Sequence, residues 1–248
     1  MTIGVCIAVA FLAACSPGKS TDAGSASDSA PSADLSIYLD QAFKTAFGAS
    51  GQAAHDIPRQ GQPVAMTFAP KDLIDIGGGR LALISASLPA GDDCDDKCGR
   101  AVAVHYLRKA ADGSFQVTGQ WWDLLPAGPL DGASEARIRE DLFAAPAVQI
   151  EVPHRDRGCQ SSSAALFELA PSGPVLRARD ISTARTNIPM GALRLGAQVD
   201  YYGNILPDVK GQRFKVHYHG STEGDAVYGP GAAAGVWAQT AQFNLPEC

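Results

Sequence analysis

Three pairs of apolar segments, each pair separated by a glycine-containing turn, constrain the fold of this chain more than any other feature. The turns are Ala111-Asp112-Gly113, Pro171-Ser172-Gly173 and Thr222-Glu223-Gly224. The flanking segments are 102–108 and 115–121, 165–169 and 175–178, and 214–219 and 225–228. Apolar strands joined by short turns of this kind are typical of antiparallel sheet. The sequence therefore predicts a mainly β fold of antiparallel hairpins arranged as a meander.

The first and third hairpins resemble each other in sequence. Residues 100–106 read Arg-Ala-Val-Ala-Val-His-Tyr, and residues 213–218 read Arg-Phe-Lys-Val-His-Tyr. An internal repeat of this size is compatible with a partial propeller-like arrangement, and a single β-sandwich accommodates the same hairpins equally well. Both arrangements stay open at this point.

Two segments have the pattern of helices. Asp34 is a suitable N-cap for a helix that runs to Phe47, because apolar residues recur there at helical spacing and Gly48 supplies a stop. A second, shorter helix is predicted from Ser134 to Phe143, with Ser134 as its cap. We therefore expect an N-terminal helix, and one further helix between the hairpins.

The glycine triplet Gly77-Gly78-Gly79 precedes a segment, 80–87, that is rich in strand-forming residues. Phosphate-binding glycine loops follow a strand and open a helix, whereas this one is followed by a strand. The triplet therefore predicts a turn.

The N-terminus carries an apolar run from Ile3 to Ala14. It is too short to cross a bilayer core, which takes roughly 20 helical residues, and it predicts a secretory signal spanning residues 1–14. The run ends in Leu12-Ala13-Ala14-Cys15, which resembles the lipobox of bacterial lipoproteins. The resemblance implies cleavage before Cys15 and acylation at this cysteine, which would anchor the chain in a membrane. It also implies, from Ser16 at the next position, an outer-membrane location.

The rest of the chain divides into two parts. Residues 15–33 are mostly Ser, Ala, Gly, Asp and Pro, a composition that predicts a disordered tether behind the lipidated cysteine. Residues 34–248 are long enough to form a single domain with a sizeable core. The net charge of −6 and a pI of about 5.3 argue against nucleic-acid binding. The expected partners are therefore the membrane, through the lipid anchor, and an envelope protein.

Four cysteines remain after the signal and the lipidation site are set aside: Cys94, Cys98, Cys159 and Cys248. An even number of cysteines in an oxidising compartment predicts two disulfides. Three pairings are possible, and we favour Cys94 with Cys98 and Cys159 with Cys248. The second pair closes the longer loop and would contribute more to stability.

Histidines supply the candidate metal site. His217 and His219 occupy positions i and i+2 of a predicted strand and so point to the same face, as two zinc ligands require. His105, at the matching place of the first hairpin, is the candidate third ligand. The favoured interpretation is a polar strand face without metal, because the alternating apolar residues claim the other face, and we expect no cofactor.

Two tryptophans and two arginines form the candidate ligand surface: Trp121, Trp122, Arg137 and Arg139. Adjacent strand residues point to opposite faces, so one tryptophan is expected in the core and at most one on the surface. No catalytic residue is predicted, because the serine run 161–163 lacks the Gly-x-Ser-x-Gly pattern of a nucleophile elbow.

These observations predict an outer-membrane-anchored lipoprotein with a non-enzymatic binding or accessory role in the cell envelope. Two alternatives stay open. One is a metal-dependent hydrolase that uses His105, His217 and His219, and the other is a purely structural envelope lipoprotein.

Overall fold

The structure is a computed structural model that describes residues 35–59, 62–88, 100–125, 135–156, 158–187, 199–232, 235–241 and 243–247. The elements in these ranges lie in one compact unit. A 3₁₀ turn (Leu35–Tyr38) leads into helix α1 (Leu39–Phe47), and the described strands follow. The strands are β1 (Ala53–Arg59), β2 (Gln62–Gly77), β3 (Arg80–Ser87), β4 (Val102–Lys109), β5 (Phe115–Trp121), β6 (Glu135–Arg139), β7 (Ala147–Asp156), β8 (Cys159–Ala170), β9 (Gly173–Asn187), β10 (Asp200–Val209), β11 (Arg213–Gly220), β12 (Gly224–Pro230) and β13 (Trp237–Gln239).

The strands form two antiparallel sheets. Sheet 1 has the order β1-β2-β3-β4-β5, and sheet 2 has the order β13-β12-β11-β10-β9-β8-β7-β6 and curls into a half-barrel. Within each sheet, every strand pairs with the strands next to it in sequence, so the predicted mainly β meander is confirmed. The three predicted hairpins are β4–β5, β8–β9 and β11–β12. The first and third lie in different sheets, so the described strands build two sheets rather than propeller-like blades.

Three apolar clusters hold the layers together. The inter-sheet core joins one face of sheet 1 to β7 and β8 of sheet 2, with Val104 and Phe167 among its buried members. The half-barrel core fills the curl of sheet 2 around Tyr218. The helix core packs α1 against the other face of sheet 1, where Phe43 is fully buried. The described residues are therefore layered from α1 through sheet 1 to sheet 2.

Helix α1 is shorter than the predicted segment 34–47 but ends where the sequence indicates. Gly48 adopts the left-handed conformation, with φ 77°, and its N–H donates to the carbonyl of Lys44 at 2.8 Å. Such a left-handed glycine is the usual way to satisfy the last carbonyls of a helix. Asp34, the predicted cap, lies outside the described residues.

The prediction of a second helix from Ser134 to Phe143 is wrong. Residues 135–139 form β6, which pairs along its whole length with β7. Ala136 and Ile138 pack against the inter-sheet core, and charged residues alternate with them. This two-residue period suits a strand, and pairing with β7 outweighs the helical signal of the Ser134 cap.

The glycine triplet forms the β2–β3 turn as predicted, and its three residues all have positive φ.

The turn at Gly173 is a packing site for Trp121. Gly173 has φ 138°, and an added Cβ would lie 2.5 Å from the ring of Trp121. The indole of Trp121 thus fills the space above this turn and links β5 of sheet 1 to the β8–β9 hairpin of sheet 2.

We expect Gly173→Ala to lower the free energy of unfolding by about 3 kcal/mol, because it adds backbone strain to a steric clash with Trp121. Gly113→Ala is the matched control, since Gly113 also has a positive φ (82°) but open space around it. The control should cost about 1 kcal/mol. Denaturant unfolding measures both changes, and equal losses would contradict the packing of Trp121 on Gly173.

Candidate functional site

A cavity of about 210 Å³ opens at the edge of the inter-sheet core. We call it the bulge pocket and define it by an apolar floor and a polar rim. The floor consists of Leu124, Val152, Phe167 and Leu176, and the rim consists of His154, Ser163, Arg179 and Asp180. A concave apolar surface with a few convergent polar groups is the usual form of a ligand site.

Irregular pairing between β8 and β9 shapes this pocket. The register shifts three times, and the extra residues on β9 are Arg177, the pair Arg179 and Asp180, and Thr183. A β-bulge bends its strand and re-aims the side chains of the inserted residues, often beside a functional site. The middle bulge supplies the two charged residues of the pocket rim.

Asp180 is under backbone strain. Its φ of 56° is the one positive value recorded for a non-glycine residue in the described part of the chain. A left-handed conformation at a non-glycine residue costs roughly 1–3 kcal/mol and tends to cluster at functional sites. The strain therefore indicates that the rim of the bulge pocket keeps a fixed backbone geometry at a cost in stability.

The polar rim contains two short contacts. His154 Nε2 and Ser163 Oγ lie 3.1 Å apart and share a hydrogen bond across β7 and β8. Arg179 Nε lies 3.5 Å from a carboxylate oxygen of Asp180, and the two side chains are 70% and 86% exposed. An ion pair this exposed contributes little to stability, so both charges remain accessible to a ligand.

A second cavity, of about 290 Å³, lies beside the half-barrel core between Phe143 and Trp237. Its charged groups are already engaged with each other. Glu168, whose side chain is 8% exposed, accepts hydrogen bonds from the N–H of Ala145 at 3.0 Å and from Arg177 Nε at 2.7 Å. Arg177 also donates to the carbonyl of Gly235 at 3.2 Å. This cluster acts as a structural clamp, and the bulge pocket is the better candidate site.

The two tryptophans of the predicted ligand surface point into opposite layers. Trp121 packs against the inter-sheet core, with its ring centroid 4.8 Å from that of Tyr106. Trp122 packs against the helix core and stacks on His55 at 3.5 Å. Both rings are half-buried, so the expectation of opposite faces holds, and together they form no exposed platform.

The two arginines of the predicted ligand surface both have carboxylate partners. Arg137 is exposed and pairs with Glu135 at 2.9 Å, and Arg139 pairs with Asp141 at the same distance. Arg139 also donates to Gln149 at 2.8 Å, which ties β6 to β7. The structure therefore does not join Trp121, Trp122, Arg137 and Arg139 into one ligand surface.

The three candidate metal ligands are not brought together. His105 is fully buried in β4 of sheet 1, whereas His217 and His219 lie on β11 of sheet 2, on the face opposite the half-barrel core. His217 Nδ1 pairs with Asp225 at 2.7 Å, and the ring of His219 stacks on Tyr202. The described residues contain no group of three His, Cys, Asp or Glu side chains that could hold a metal ion. The alternative of a three-histidine metal site is therefore wrong, because the histidines lie in two different sheets.

Several predicted features lie outside the described residues: the signal, the lipidation site Cys15 and tether, and Cys94, Cys98 and Cys248. Their roles stay predictions. In the part of the chain that the structure covers, no helix has the length and apolar character needed to cross a membrane.

Sequence reasoning missed the residues of the bulge pocket. Ser163 lies in a serine run without a motif, and His154 stands nine positions earlier on a different strand. Their contact depends on the β7–β8 register, which pairs Val152 with Ser163. No local sequence pattern predicts that register.

Comparison with family models, curated proteins and solved structures finds no match for this chain.

His105 generates a pH prediction. Neither of its ring nitrogens has a hydrogen-bond partner in the described structure, and burial, aided by His55, lowers the pKa of His105 from 6.5 to about 4. The unfolded chain therefore binds a proton in a pH range where the folded chain does not. Stability should fall by about 3 kcal/mol as pH decreases from 6.5 to 4.

His105→Phe should remove this part of the pH dependence, since phenylalanine cannot be protonated and leaves no buried nitrogen unpaired. Urea unfolding at several pH values measures the effect. The matched control is His219→Phe, because His219 is exposed. A pH dependence that is the same in wild type and His105→Phe would contradict the role of His105.

Proposed function

We propose that this chain is a lipid-anchored binding protein of the bacterial cell envelope and that it holds its ligand or partner in the bulge pocket. The observation that carries the proposal is the pocket itself, with its apolar floor and convergent polar rim. The floor residues belong to the inter-sheet core or pack against it, so the site is held in place by the layered fold.

The size of the pocket limits what it can hold. At about 210 Å³ it is smaller than the roughly 300–1,000 Å³ typical of sites for drug-sized ligands. It suits a single apolar group, such as a short acyl or aryl group or one side chain of a partner. Filling such a pocket with one anchoring group is how many binding sites obtain most of their affinity.

The envelope location rests on two supports. The first is the lipobox-like sequence Leu12-Ala13-Ala14-Cys15, followed by a tether-like composition to residue 33. The second is the even set of cysteines Cys94, Cys98, Cys159 and Cys248, which is typical of disulfide-bonded proteins in oxidising compartments.

The favoured partner of Cys159 is Cys248. Arg185 donates to the carbonyl of Pro246 at 3.2 Å, which brings the C-terminal segment to β9. There Ser161 and Arg185 are paired, two residues along β8 from Cys159. This proximity supports the proposed pairing.

Lipidation has a direct test. The Cys15→Ser variant should carry no acyl group at position 15, and it should move from the membrane fraction to the soluble fraction of an envelope extract. Fractionation with mass spectrometry of the N-terminal peptide measures both properties. A variant that still partitions with detergent would overturn the proposed anchor.

Pocket occupancy is tested in cells by a photo-crosslinking phenylalanine analogue placed at Arg179, on the rim. We expect one discrete adduct that disappears when Leu176→Trp fills the pocket floor. The matched control places the same analogue at Leu206, an exposed residue of β10.

Adducts that are equal at both positions, or unaffected by Leu176→Trp, would contradict the proposed binding role. The result would then favour the purely structural lipoprotein. Leu206→Trp provides the control for introducing a tryptophan elsewhere on sheet 2.

A further inference from the structure

We propose that the bulge pocket also performs acyl transfer, with Ser163 as nucleophile and His154 as general base, on esters of small carboxylic acids. The inference rests on the proposed ligand site and goes beyond binding. Three independent features converge there: a cavity, a serine–histidine hydrogen bond on its rim, and a strained residue beside it.

The geometry of the pair comes from strand register. His154 lies opposite Ser161, and Val152 lies opposite Ser163, so His154 reaches Ser163 diagonally on the same face of sheet 2. The separation of 3.1 Å between His154 Nε2 and Ser163 Oγ is within the range of about 2.6–3.2 Å expected of a nucleophile and its base. Both side chains line the pocket, so the hydroxyl is next to the space that a substrate would occupy.

The remaining parts of the pocket fit an ester. The floor of Leu124, Val152, Phe167 and Leu176 accepts the apolar acyl group. Arg179 lines the same cavity and carries the positive charge that stabilises a developing oxyanion. The left-handed backbone at Asp180 sets the direction of this bulge, and strain of that kind is held where a site needs a fixed geometry.

The reaction balances with water as the co-reactant. Ser163 Oγ bonds to the carbonyl carbon while its proton passes to His154 Nε2, and the tetrahedral intermediate places its negative oxygen toward Arg179. Breakage of the ester bond releases the alcohol, which takes the proton from His154. Water, deprotonated by His154 Nε2, then attacks the carbonyl carbon of the acyl-serine. The bond from that carbon to Ser163 Oγ breaks, and His154 returns the proton to Oγ, so the products are a carboxylic acid and free Ser163.

The test uses the full-length lipoprotein in detergent and a fluorophosphonate probe, which forms a covalent bond to an activated serine with loss of fluoride. We expect one label per chain, located on Ser163 by mass spectrometry of the labelled peptide. Hydrolysis of p-nitrophenyl butyrate provides the rate. Ser163→Ala should abolish labelling and reduce hydrolysis to the background rate.

Ser161→Ala is the matched control, because Ser161 is the direct cross-strand neighbour of His154 on the same strand as Ser163. It should leave labelling and hydrolysis unchanged. His154→Gln retains a hydrogen-bonding side chain but no base, and it should slow labelling and hydrolysis about 100-fold or more. Unfolding transitions equal to that of wild type show that each variant is folded.

The outcomes separate acyl transfer from binding. A pocket-dependent crosslink at Arg179 without labelling of Ser163 would overturn acyl transfer and leave the binding role intact. Labelling that persists in Ser163→Ala, or that is lost equally in Ser161→Ala, would also overturn it. Loss of both the crosslink and the label would overturn the proposed function as well.

Discussion

The structure depends on strand β8 being covered on both faces. Residues 164–169 are all buried, and successive side chains of a strand point to opposite sides. Ala165, Phe167 and Leu169 therefore fill the inter-sheet core, while Ala164 and Leu166 fill the half-barrel core. Sheet 1 has to lie against one face and sheet 2 has to curl over the other, because either face exposed alone would leave a continuous apolar stripe in water.

The bulges in β9 allow sheet 2 to curl over β8, and they also position the polar side chains of β9. A strand that bends repeatedly can wrap the half-barrel core, and each extra residue re-aims a side chain. Arg177 clamps Glu168, Arg179 reaches the pocket rim, and Thr183 donates to Glu151 at 2.7 Å. The same irregularity thus supplies curvature, satisfies buried carboxylates and positions the charges of the candidate site.

Local patterns predicted the elements well where the signal acts within a few residues. The turn at Gly113 and the helix end at Gly48 are where the sequence places them. Prediction failed where distant contacts compete with a local signal. The cap at Ser134 favours a helix, yet pairing with β7 makes the following residues a strand. The similarity around His105 and His217 suggested related positions, but burial under α1 separates one histidine from the other.

Hairpins, the N-terminal helix and the lipobox-like segment can be read from the chain alone, because turn chemistry, helix stops and short motifs are local properties. The candidate site cannot. Its base and nucleophile come from β7 and β8, its charges from a bulge in β9, and its floor includes Leu124 from beyond β5. Register and sheet packing bring these residues together, and both depend on the burial of side chains that lie far apart in sequence.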